Sequence, residues 1–177
     1  MPRRPDIDAA VEHIGRYAGR DEWVAHRREH LATMLGRIPE HFGLDLEGLF
    51  DEVGRLGHLS SMVGFIDESF LAAEFGPDRA NVTDDYLRRR GWQETPRGRE
   101  YLQAIRTTPP VLYEVCDVAW GEWVEVRDRQ LGGIPLRIVE HSGSRTLQRW
   151  DCFVARVGHP RDEIMLTGGV LPLTRKG

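Results

Sequence analysis

The stretch Thr107-Thr108-Pro109-Pro110-Val111-Leu112-Tyr113-Glu114-Val115-Cys116 divides this chain into two kinds of sequence. On its N-terminal side, apolar residues recur at helical spacing between capping residues. On its C-terminal side they fall into short alternating runs separated by glycine turns. Proline suits the first turn of a helix. Val111, Leu112, Tyr113 and Val115 therefore read as one more short helix, with the change to strands expected at Cys116. The predicted fold class is α+β: a helical N-terminal bundle over residues 1–115, then a small antiparallel β-barrel or curled sheet over 116–177, docked on the helices.

Working back from the divide, Thr95-Pro96 reads as the cap and first residue of a helix carrying Tyr101, Leu102 and Ile105. Thr83 to Gly91 has a cap, the first-turn acids Asp84 and Asp85, the last-turn bases Arg88, Arg89 and Arg90, and a glycine placed to end the helix. Met62, Val63, Phe65, Ile66, Phe70 and Leu71 cover more than one stripe, which predicts a central, buried helix starting near Ser60 or Ser61 and ending at Gly76-Pro77. Asp45 caps a helix that Gly57 closes, and Asp21 is read as the cap of one that runs to Gly36. Ile7, Ala10, Val11 and Ile14 mark the first helix.

Working forward, Leu131-Gly132-Gly133 separates two apolar runs and is a tight-hairpin signal. Cys152 to Val157 reads as a buried strand with Cys152 pointing inward. Glu163 to Leu173 reads as the last strand, bulged at Gly168-Gly169. A β-unit of this size has little core of its own, so it must dock on the helices. Trp120, Trp123 and Trp150 are the residues expected at that seam.

A chain of 177 residues can bury a core without covalent staples. Two cysteines, no apolar stretch of membrane-spanning length and no secretion signal at the start predict a reduced, cytoplasmic setting with no membrane partner. The net charge of −4 argues against generic polyanion binding, yet it is unevenly spread. Residues 1–80 carry nine arginines against fifteen acids, whereas Arg88 to Arg106 hold six arginines opposed only by Glu94 and Glu100.

Arg88, Arg89, Arg90, Trp92, Arg97 and Arg99 are accordingly the candidate nucleic-acid-binding residues. Guanidinium groups beside an exposed aromatic suit a phosphate backbone and a stacked base. The plainer account of the same arginines is pairing with carboxylates of this chain and with helix carbonyls. His26-Arg27-Arg28-Glu29-His30 fits H-x-x-E-H, with His26 and His30 on one helix face as metal ligands and Glu29 placed to act on a bound water. A third ligand would have to come from Glu94, Glu100, His13 or His41. Neither cysteine has the basic neighbours of a reactive thiol, and Ser142-Gly143-Ser144 lacks the setting of a hydrolase elbow.

The chain from Asp84-Asp85-Tyr86-Leu87 through Leu112-Tyr113-Glu114-Val115 and Arg127-Asp128 to Gly168-Gly169-Val170-Leu171-Pro172 resembles uncharacterised bacterial proteins. That resemblance implies a helical region followed by a small β-unit and no mechanism. Between Tyr86 and Arg99, the matches at Tyr86, Leu87, Gly91, Trp92 and Thr95 to Arg99 are similar to the winged-helix domain of the Holliday-junction branch-migration helicase, which implies a DNA-contacting wing. The segment from Trp92 to Thr95 is one residue short for that wing, and Glu100-Tyr101-Leu102 continues as a helix.

The function expected from the residues is binding rather than catalysis, without a cofactor. Nucleic acid is the first partner and a protein partner, held by an acidic helical face or exposed β edge, the second. A metal-dependent hydrolase centred on His26, Glu29 and His30 is the third reading.

Overall fold

In a computed structural model, described over residues 4–173, seven helices precede a five-stranded antiparallel sheet and a two-stranded ribbon. The helices are α1 (Pro5–Ala18), α2 (Asp21–Leu35), α3 (Ile38–His41), α4 (Leu46–Arg55), α5 (Leu59–Ala72), α6 (Val82–Arg90) and α7 (Pro96–Thr107). The strands are β1 (Val111–Ala119), β2 (Trp123–Asp128), β3 (Gly132–Val139), β4 (Cys152–Ala155), β5 (Val157–Gly158), β6 (Met165–Leu166) and β7 (Leu171–Leu173). The fold is α+β. Among the described residues no helix is long and apolar enough to cross a membrane.

The helix expected over Val111–Val115 is instead the start of β1, so the change from helix to strand falls at Val111. Pro110 biases its predecessor toward extended backbone, and Thr108 already has ψ 122°. The alternation of Val111, Tyr113 and Val115 with Leu112 and Glu114 then satisfies a period of two. Tyr113 pairs with Asp128 on one side and Phe153 on the other.

The sheet order is β3-β2-β1-β4-β7, with β3 and β7 at free edges, so the expected barrel is not formed. Closure would require the two outermost strands to pair. β7 is only three residues long, and beyond Cys152 the chain divides into β4 and the separate β5–β6 ribbon.

Two apolar centres result. Ile7, Ala10, Ile14, Tyr17, Trp23, Phe70, Tyr86 and Leu102 fill the helical core, joined by Met165 from β6. Val115, Val124, Val126, Ile138, Phe153 and Ala155 fill the inner sheet face. Cys152 lies on the opposite face from Phe153, which corrects its expected inward orientation, because side chains alternate along β4.

The seam between helices and sheet is polar where aromatic packing was expected. Trp120 is 73% exposed and Trp150 47% exposed, and Trp123 lies under the Arg137 guanidinium, 4.0 Å from its ring centroid. The docking is done by Glu68 of α5. One of its oxygens takes Arg156 Nη1 at 3.2 Å and the Thr167 hydroxyl, and the other takes the Gly169 amide. Arg156 also donates to the Thr108 carbonyl at 3.0 Å, and Tyr101 accepts from the Gly168 amide at 3.0 Å.

Helix α5 touches α2, α4, α6, α7 and β7 and is central as expected, although Leu59 and Val63 near its start remain exposed. It also ends at Ala72, ahead of Gly76-Pro77. Two local details of α6 differ from expectation. Its cap is Asn81, not Thr83, whose buried hydroxyl donates to the Leu71 carbonyl. Gly91 has helical φ −56°, so the chain runs on into a 3-10 turn, Gly91–Gln93.

Asn81 accepts from the Asp84 amide and donates to the Leu71 and Ala73 carbonyls, linking the start of α6 to the end of α5. Asn81→Ala removes the cap and both donors from a buried position, for an expected loss of about 2 kcal/mol in urea denaturation, the upper part of the range for caps.

Candidate nucleic-acid interface

The six candidate residues do not form one continuous surface. Arg88 and Arg89 fold back along α6 onto Asp85, Arg89 at 2.9 Å, and Asp85 also accepts from the Tyr17 hydroxyl at 2.5 Å. Burial alone would raise the Asp85 carboxyl, but the hydrogen bonds from Tyr17, Arg88 and Arg89 hold it below its ordinary value. Both guanidiniums remain largely exposed, at 71% and 57%. Pairs this exposed are worth little, and an incoming phosphate competes with them readily.

Arg97 is withdrawn from the surface. It pairs with Glu163, and with Asp6 at 3.8 Å, and Arg4 meets the same Glu163 at 2.6 Å. The cause lies in α7: Thr95 caps it by accepting from the Gly98 amide, and Gly98 packs so closely on α1 that a Cβ there would lie 3.2 Å from Ala10 Cβ. That contact turns Arg97 toward Asp6. Arg99 is exposed and reaches the Gly91 carbonyl at 3.4 Å. Thr95–Arg99 is the opening of a helix here, not a β-wing.

Arg90 faces a different neighbour. Together with Gln93 it meets Arg16 from the last turn of α1 and Arg20 from the junction of α1 and α2, around a pocket of about 270 Å³ that is also lined by His13, Tyr17 and Tyr86. Arg20 lies over the Tyr17 ring, 4.1 Å from its centroid. Among the described residues Arg16 pairs with the exposed Glu12 at 3.5 Å and Arg20 with Glu22 at 3.9 Å. Trp92, on the 3-10 turn between Arg90 and Gln93, is 73% exposed. Beneath them the buried Glu94 takes His13 Nδ1 at 2.8 Å and the Tyr86 hydroxyl, which fixes the 3-10 turn against α1.

Sequence reasoning missed His13, Arg16, Arg20 and Gln93. Arg16 lies in the last turn of α1 and Arg20 just beyond it, immediately before α2, and nothing local says that α6 will bring Arg90 to them.

The two histidines of H-x-x-E-H are engaged in packing, while Glu29 is exposed. His26 stacks on Phe75 at 4.9 Å between centroids and lies 3.8 Å from Glu29, and His30 packs against Phe70 and Phe75. Burial, with Arg156 second, lowers the His30 pKa. The possible third ligands lie elsewhere: His13 with Glu94, Glu100 on the Arg161 amide, and His41 against Phe42. Among the described residues no three His, Cys, Asp or Glu side chains gather as a metal site.

All four tyrosines have raised pKa values, with burial the first cause in each. Asp85 assists at Tyr17, pushed up to about 12, and Glu94 assists at Tyr86. The folded state favours the neutral phenol. This contribution to stability is complete below the unfolded value and is lost as pH rises through the folded one. The tyrosinate absorbance that free tyrosine gives near pH 10 is therefore expected to be missing there, emerging only at higher pH or on alkaline unfolding.

Compared with known proteins, the chain matches no family model, no curated protein and no solved structure.

Proposed function

We propose that the protein is a cytoplasmic, non-enzymatic nucleic-acid-binding protein whose contact face joins the C-terminal ends of α1 and α6. The observation that carries this reading is the convergence of Arg16, Arg20 and Arg90 on one open pocket beside the exposed Trp92. Exposed Arg88 and Arg89 follow on the same helix end. Guanidinium forks suit phosphate oxygens, and an indole suits an unstacked base. The unpaired Cys116 and Cys152 fit a reducing compartment.

The test is fluorescence anisotropy of labelled single-stranded and duplex oligonucleotides. Salt-sensitive binding by the native chain, lost in the Arg16→Gln, Arg20→Gln, Arg90→Gln triple variant, is the expected result. No binding at low salt, or equal binding by the variant, overturns the reading.

A protein partner is the second reading. It is favoured by the large apolar side chains Ile38, Phe42, Leu46, Leu56 and Leu59, all exposed and all carried between α3 and the start of α5. Phe42→Ser with Leu56→Ser leaves oligonucleotide binding unchanged under the first reading and abolishes partner binding under the second.

A further inference from the structure

Helix α1 separates two sites of opposite sign. Arg16 in its last turn and Arg20 just beyond it belong to the cationic pocket, whereas Asp8, Val11 and Glu12 face a cleft of about 670 Å³ between α1 and the sheet. Ile7 and Val11 line this cleft from the helix, and Leu147, Leu166 and Val170 line it from the β-unit. Its size is in the range of small-molecule sites, and its walls are mainly apolar with a few polar groups, as such sites are.

The informative polar group is Glu140. Its residue is only 9% exposed, yet it lines the cleft. One carboxylate oxygen takes the Ser142 amide at 2.9 Å, the Ser142 hydroxyl and the Gly143 amide at 3.1 Å. The other accepts no hydrogen bond among the described residues. The approach is built for this purpose: a Cβ on Gly143 would sit 3.1 Å from Glu140 Cγ. Burial opposes the charge, but the Ser142 and Gly143 donors and the positive charge of Arg4 outweigh it, so Glu140 is a carboxylate at neutral pH.

The open oxygen is not sealed from solvent, so a cation entering the cleft can take it in place of water. Arg4, the cation on the lining, is engaged by Glu163 at 2.6 Å. Asp8 and Glu12 add two further carboxylates on the helix wall.

We propose that this cleft binds a small organic amine, its ammonium group on the open oxygen of Glu140 and its apolar body between Val11 and Leu147. The site is independent of the nucleic-acid face.

The experiment is calorimetric titration of the full chain with phenethylamine, phenethyl alcohol and hydrocinnamate, three probes of one shape with positive, zero and negative charge. The amine binds at least tenfold more tightly than the alcohol, and the carboxylate binds most weakly. Glu140→Gln, which keeps an acceptor for the Ser142 and Gly143 donors, removes the preference of amine over alcohol. Val11→Trp, at a 43% exposed position that tolerates bulk, blocks all three probes without touching Glu140. The order of the native chain's affinities stands as a test even if Glu140→Gln fails to fold. Equal affinity for amine and alcohol, amine binding that survives Val11→Trp, or no amine binding at millimolar concentration overturns the proposal.

Discussion

Glu68→Ala is expected to lower unfolding stability by about 3–5 kcal/mol, the cost of stranding a buried charge. Arg156 and Glu68 are both nearly inaccessible, with side chains 4% and 5% exposed, and their contact is at 3.2 Å. Removing Glu68 takes an acceptor from the Arg156 guanidinium, the Thr167 hydroxyl and the Gly169 amide at once, and strands the Arg156 charge with only the Thr108 carbonyl, while Thr167 falls back on the Arg156 carbonyl at 3.3 Å. Water has poor access to replace them.

For a chain of this length the loss corresponds to a fall in Tm of roughly 6–20 °C, taking about 2–4 °C per kcal/mol. Thermal and urea denaturation measure it directly. The double variant Glu68→Ala, Arg156→Ala is expected to cost less than the sum of its two single variants, because deleting both partners leaves no unpaired charge. Strict additivity would show that the pair is uncoupled. Since these bonds join α5 to the strands, the sheet is expected to lose its docking as the helices lose stability.

The second large effect is on salt-dependent binding. Each arginine that meets a phosphate contributes about 0.7–0.9 to the slope of log affinity against log salt. If Arg16, Arg20 and Arg90 each make one contact, the triple glutamine variant has a slope shallower by about 2–3. Raising salt from about 50 to 200 mM then weakens the native chain roughly twenty- to fortyfold more than the variant, by the same relation.

Arg97→Gln is the matched control. Its guanidinium lies in the Glu163 and Asp6 cluster, so binding is expected to be unaffected, although the whole run from Arg88 to Arg99 is equally basic on paper. An Arg97→Gln effect as large as that of Arg90→Gln would place the contact face elsewhere. Trp92→Ala is expected to weaken single-stranded binding by about 1–3 kcal/mol through lost stacking. Its effect on duplex binding should be smaller, since paired bases are already stacked.

Much of the helical half was legible because its signals are local. Asp45 and Thr95 cap as read, each accepting from the amide three residues on, and Gly57 takes the positive φ of 78° that its place after α4 requires. The β2–β3 hairpin was equally legible: Gly132 and Gly133 have φ 71° and 97°, which a side-chain-bearing residue rarely adopts. The short run after Pro110 was misread because four apolar residues in five satisfy both periods. The arbitration came from pairing partners in β2 and β4, which the run itself does not contain.

The candidate site was legible only in part, for a related reason. Sequence locates charge but not the charge opposite it. Arg88 and Arg89 find Asp85 within their own helix, a pairing that spacing allows. Arg97 finds Glu163, distant in sequence, and Arg90 finds, among the described residues, no ion-pair partner but two more arginines, Arg16 at the end of α1 and Arg20 just before α2.

By itself, then, the sequence determined most of the helices, the caps at Asp45 and Thr95, the glycine hairpin and the α+β order of the chain, all set by interactions among residues a few positions apart. The tertiary structure decided that the sheet stays open, that Glu68 and Arg156 rather than tryptophan form the seam, and which arginines remain available. Those outcomes depend on contacts between residues 66 to 101 positions apart, where packing geometry and desolvation, not local propensity, select the partner.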